Sequence, residues 1–90
     1  MHEEAVLRDL VDRVSAIARE AGAGRVTRVR VWIGAFSHLT EATLRDRWPT
    51  ATDGTAAGGS ALEVEVSTDA RDPRAQAVVL RSVDVAERRG

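Results

Sequence analysis

Ninety residues with a formal net charge of −1 and no cysteine point to one small domain with a limited core, built without disulfides or thiolate zinc sites. The 13 basic and 14 acidic side chains are interleaved rather than blocked, which argues against a nucleic-acid footprint. Charged residues throughout the first twenty positions, and the lack of any apolar run near the roughly 20 residues of a membrane span, make a soluble cytoplasmic protein the expectation.

Met1-His2-Glu3 opens the chain. Histidine at position two is too bulky for ordinary removal of the initiator methionine, so the α-amine of Met1 is expected to stay. That amine, the amide nitrogen between residues 1 and 2 and the His2 imidazole can close fused chelate rings around one metal, with the Glu3 carboxylate in reach. Tetragonal nitrogen and oxygen sites favour Ni(II) or Cu(II) over zinc or magnesium. The plainer reading of the same residues is an exposed, frayed end.

From Glu4 to Ala21 the apolar residues Val6, Leu7, Leu10, Val11, Val14, Ile17, Ala18 and Ala21 recur at three- and four-residue steps, the mark of an amphipathic helix. Glu3 and Glu4 suit its positive end, and Gly22 and Gly24 supply its stop. Arg25 to Ile33 alternates as a strand, with Val29, Val31 and Ile33 on one face and Arg28, Arg30 and Trp32 on the other. A connection through Ala35, Phe36, Ser37, His38 and Leu39 leads to Thr40, a helix N-cap, and a second helix from Glu41 to about Trp48. Pro49 is expected to end that helix, because the residue before a proline avoids the helical region.

Residues 50–60 are small, polar and glycine-rich, and read as a flexible surface loop. Leu62 to Val66 alternates as a strand, residues 67–76 form a turn, and Ala77 to Val85 is a last strand. Its alternation slips between Leu80 and Val83, which points to a bulge or a change of sheet environment there. The expected fold is two-layer α+β, a small three-stranded sheet with two helices on one face. The other face would carry Arg28, Arg30, Trp32, Glu63 and Glu65 as a solvated surface of paired charges. Alternatively, Trp32 marks a docking patch.

Catalytic chemistry has little foothold. Two separate histidines, no cysteine and no phosphate-binding glycine loop leave Ser37 beside His38 without triad context. Asp53-Gly54 and Asp72-Pro73 read as turns. The chain is therefore not expected to be an enzyme.

These residues carry a resemblance. Met1-His2-Glu3, the helix, the run Gly24 to Val29, the run Ile33 to Ser37, Glu41 with Leu44, Trp48, Gly54-Thr55, the Leu62–Val66 strand and the closing Leu80–Val85 strand occur in an order that resembles the HypA family of nickel metallochaperones. The resemblance implies a role in supplying Ni(II) to [NiFe]-hydrogenase or urease, working with a HypB-type GTPase and the hydrogenase large subunit. It implies that Met1, His2 and Glu3 are the nickel ligands. An acidic residue after the first strand sometimes assists in the family; the nearest position here is Thr40, with Glu41 beside it. His38 supplies a further nitrogen if the terminus folds back over its loop, and is otherwise an exposed loop residue.

The family normally carries a zinc-binding domain between its last two strands. Here residues 67–76 take that place as a short turn, and without cysteines no zinc is expected. An alternative reading is a shortened interaction module that binds a maturation GTPase or hydrogenase subunit and carries no metal. The exposed strand edges of so small a sheet also leave homodimerisation open.

Overall fold

The computed structural model describes residues 3–86. Helix α1 (Glu3–Glu20) leads into strand β1 (Val26–Ile33), helix α2 (Glu41–Thr52), strand β2 (Ala61–Val66) and strand β3 (Val78–Val85). The sheet order is β2-β1-β3, with β1 parallel to β2 and antiparallel to β3. Both helices lie on one face, as the apolar patterning predicts. No helix among the described residues is long and apolar enough to cross a membrane.

Each element ends where its local chemistry changes. Gly22 adopts φ 71° and closes α1. Its amide donates to the Arg19 carbonyl, and the Ala23 amide donates to the Ala18 carbonyl, the paired bonds of a Schellman stop. Leu7, Leu10, Val11, Val14 and Ala18 face the sheet, whereas Val6 and Ile17 remain about 40% exposed. Three strands are too narrow to cover the whole apolar stripe of the helix. At α2 the Thr40 hydroxyl accepts from the Thr43 amide at 3.2 Å, as expected of an N-cap.

Pro49 does not end α2, contrary to the sequence expectation. The hydrogen bond it cannot donate would go to the carbonyl of Arg45, an exposed residue, so water can replace it. Trp48 and Thr52 are buried. Thr52 Oγ1 donates to the Trp48 carbonyl at 2.7 Å and closes the extra turn.

The following segment is not the free surface loop that its composition suggests. Ala57 is fully buried, the Val26 amide donates to the Ala56 carbonyl at 2.8 Å, and Trp48 Nε1 donates to Ser60 Oγ at 3.2 Å. Small residues are what let this backbone pack against the end of β1.

The face of the sheet away from the helices carries the expected charge pairs. Arg28 and Arg30 reach Glu63 at 3.2 and 3.0 Å, and Arg30 also reaches Ser82 and Asp84. All are partly exposed, so each contributes no more than about 1 kcal/mol. Trp32 departs from expectation: it is only 4% exposed and is neither solvated nor free for docking. The connection from β2 to β3 folds over it, with the Arg74 guanidinium 5.1 Å from the ring centroid and that of Arg81 at 6.0 Å. The predicted irregularity in β3 is present. Register steps from Arg30 opposite Ser82 to Val31 opposite Leu80, so Arg81 is the extra residue of a bulge and reaches Trp32 from there.

This cover depends on Gly34. A Cβ there would overlap the Ala75 carbonyl and crowd that of Arg74, both rigid backbone groups. Gly34→Ala should therefore lower the unfolding free energy by about 1–3 kcal/mol in a urea titration, with tryptophan emission shifted red in the folded state as water reaches Trp32.

Asp72 positions Arg74 within the same cover. The Arg74 amide donates to Asp72 Oδ1 at 2.8 Å, with Arg74 Nε at 3.4 Å. The amide hydrogen bond first, and the guanidinium second, hold the Asp72 carboxyl below its usual range. Its contribution is therefore complete above the ordinary aspartate range and is lost as pH falls through the depressed folded value. An acid titration of tryptophan emission should show this loss, and Asp72→Asn should abolish that step.

Candidate metal centre

Of the candidate ligands, Met1 and His2 lie outside the described residues, and Glu3 begins α1. The half-buried Glu3 lines a recess of about 440 Å³ between the first turn of α1, the segment Ser37–Leu39 and the start of β3. His38 lines the same recess, together with Gln76 and Val78. The fold thus brings together an N-terminal carboxylate and an imidazole 35 positions apart in sequence.

The loop that presents His38 is held from both sides. Ser37 Oγ donates to the Leu39 carbonyl at 3.0 Å and accepts from the Leu39 amide at 3.1 Å, and the Leu39 side chain is buried in the core. The Ser37 amide donates to the Gly34 carbonyl, and the Phe36 amide to the Ala75 carbonyl at 2.6 Å. His38 is therefore an exposed side chain on a fixed backbone. Neither its side chain nor that of Glu3 makes a hydrogen bond or ion pair with any described residue.

Neighbouring carboxylates differ. Glu4 pairs with Arg47 at 3.3 Å across the helices. Glu41 pairs with Arg45 at 2.8 Å and lines a separate recess with Thr40, Ile33 and Val66. The structure does not bring Glu41 to Glu3. Among the described residues no set of three or more His, Asp or Glu side chains converges into a complete metal cluster. Glu3 and His38 are a partial donor set, which fits a hard or borderline divalent cation only with further donors.

Two contributors to this recess differ in how far the sequence signals them. The Ser37–Leu39 hydroxyl turn is legible afterwards as a serine two residues before a buried leucine. Gln76 has no such signal. Only the closing of the sheet brings it beneath the first turn of α1.

A family model described as hydrogenase/urease nickel incorporation, metallochaperone, hypA matches residues 1–71. The chain belongs to the HypA family. It is 42% identical over 65 residues to the hydrogenase maturation factor HypA of Chlorobium limicola, covering 72% of this chain and 56% of that protein. It is 36% identical over 66 residues to that of Methanopyrus kandleri, covering 73% and 46% respectively. The chain spans about half the length of these curated HypA relatives. The solution structure of the Ni metallochaperone HypA from Helicobacter pylori shares the fold, with a TM-score of 0.77 over 94% of this chain and 97% of that one, at 18% identity. The HypA match takes in Met1, His2, Glu3, His38 and Glu41, and stops inside the β2–β3 connection.

Because the Ser37 hydroxyl is the main local restraint on His38, Ser37→Ala should cost about 1 kcal/mol of stability. Amide exchange at Leu39 should accelerate while that of the β1 amides stays unchanged, which hydrogen-exchange NMR can measure.

Proposed function

We propose that this chain carries Ni(II) on Met1, His2 and Glu3 and passes it to a nickel enzyme during maturation, [NiFe]-hydrogenase or urease. The supporting observation is that all three residues fall within the family match, while the Glu3 side chain has no partner among the described residues and lines a recess. The α-amine, the intervening amide nitrogen and the imidazole supply the nitrogen-rich plane that Ni(II) favours, and the carboxylate adds a harder donor. In this reading the protein is a carrier in the cytoplasm and performs no catalysis. Its partners are a HypB-type GTPase and the hydrogenase large subunit.

A carrier has to exclude water from its ion and yet give the ion up. A site at a chain end suits both demands, because a partner can replace its ligands one at a time. The positive end of the α1 dipole, equivalent to roughly half an elementary charge, repels a cation held there. The carboxylates of Glu3 and Glu4, in the first turn, offset that repulsion. Loading requires the imidazole and amine to lose protons, so affinity should weaken as pH falls.

We further propose that the chain is a single nickel-binding domain of the HypA type. The short β2–β3 connection, which covers Trp32, then stands where a zinc-binding domain is inserted in the family. A resident zinc ion has no cysteine ligands here.

His2→Ala in an untagged chain should abolish stoichiometric Ni(II) binding in calorimetry and leave the circular dichroism spectrum intact. An extension blocking the Met1 amine should do the same. Unchanged affinity in His2→Ala overturns the site. Capture of a maturation GTPase by a chain that binds no nickel would instead support a metal-free interaction module.

A further inference from the structure

We infer that the outer edge of β2 is a docking site for an extended segment of another protein in which apolar and basic residues alternate, the segment joining the sheet as an added strand. β2 lies at one side of the sheet and pairs only with β1 among the described residues. The Ser67 amide donates inward to the Ile33 carbonyl at 2.8 Å. The Leu62 carbonyl faces the other way and accepts from the Arg45 guanidinium at 3.0 Å. Backbone direction alternates along a strand, so the amides and carbonyls of Val64 and Val66 face outward too. They have no partner among the described residues, which leaves them open to pairing with another chain.

The two faces beside this edge differ in chemistry. Toward the helices, Leu62 and Val64 pack against the core. Val66 stays 47% exposed and lines a recess of about 620 Å³ with Ile33, Leu39 and Ala42, a groove between the end of β2 and the first turn of α2. An apolar side chain beside Val66 on an added strand enters that recess. On the opposite face Glu63 is held by Arg28 and Arg30, whereas Glu65 is exposed and has no ion pair among the described residues. A lysine or arginine directly across from Glu65 completes its pairing.

The same glutamates disfavour a second copy of this chain as the occupant. Every antiparallel register that pairs Val64 with Leu62, Val64 or Val66 of another copy sets a glutamate of one strand directly opposite a glutamate of the other. Like charges so placed are destabilising. The edge is thus guarded against itself and open to a strand of opposite charge.

The test titrates the full isotope-labelled chain with an acetylated, amidated peptide Ser-Val-Lys-Val-Lys-Val-Ser, and separately with Ser-Val-Glu-Val-Glu-Val-Ser, followed by amide NMR. The lysine peptide should shift the Val64 and Val66 amides and slow their hydrogen exchange; the glutamate peptide should not. Glu65→Lys, at an exposed position without a bond, should keep the wild-type circular dichroism spectrum. It should weaken the lysine peptide about tenfold and bind the glutamate peptide instead. No binding by the wild-type chain, shifts confined to residues away from β2, or undiminished lysine-peptide affinity in Glu65→Lys overturns the site. A wild-type chain that sediments as a dimer with Val64 and Val66 protected in the absence of peptide also overturns it, in favour of a second copy. None of these readouts involves nickel, so the carrier reading stands or falls separately.

Discussion

The close backbone approach at Gly34 is the constraint on which the rest of the structure depends. The Gly34 amide donates to the Ala77 carbonyl at 2.9 Å, and two residues later the Phe36 amide donates to Ala75. These bonds bring the end of the β2–β3 connection against the end of β1 at a distance that no side chain on Gly34 permits. Two consequences follow on opposite faces of the sheet. On one, the connection is held over Trp32 with Arg74 above the ring. On the other, Gln76 to Val78 line the recess together with Glu3 and His38. One glycine thereby links the cover of the sheet to the lining of the candidate metal centre.

That linkage also explains why so small a protein can present a fixed loop. With Val14, Val29 and Leu44 fully buried, each contributing about 1.5–3 kcal/mol relative to exposure, the helices are held firmly to β1. Beyond Ile33, however, the chain leaves the sheet, and local hydrogen bonds take over. The Ser37 hydroxyl turn and the insertion of Leu39 into the core carry order from β1 across to the N-cap at Thr40. His38 lies between two anchors spaced one residue to either side. A histidine on an unanchored loop would lose part of any binding energy to ordering.

Much of this was legible in the residues, and the failures share a cause. Alternation found β1 and β2, the slip in β3 found the bulge at Arg81, and Gly22 and Thr40 marked helix ends through their own backbone chemistry. Each of these signals is local. Trp32 was misjudged because its cover comes from the β2–β3 connection, more than 40 positions away. The segment after Thr52 was misjudged because small residues signal a loop by composition, whereas here their smallness permits packing against Val26. Pro49 illustrates a local rule outweighed: the burial of Trp48 and Thr52 favours another helical turn more strongly than the pre-proline bias opposes it. At the candidate centre, Met1 and His2 lie outside the described residues, and the sharing of one recess by Glu3 and His38 is a product of topology that no local pattern encodes.

The electrostatic setting gives that meeting its character. A buried cluster of carboxylates would bind a divalent cation tightly and release it slowly, and the fold avoids building one. Arginines pair with Glu4 and Glu41 on either side, leaving one carboxylate and one imidazole at the recess. The α1 dipole works against a cation at the same place. On the proposed carrier reading, affinity would rest on the geometry of nitrogen ligands rather than on accumulated negative charge, which favours transition metals over the far more abundant magnesium and calcium. On the same proposed reading, selectivity and release would come from the same choice of few charges and nitrogen donors.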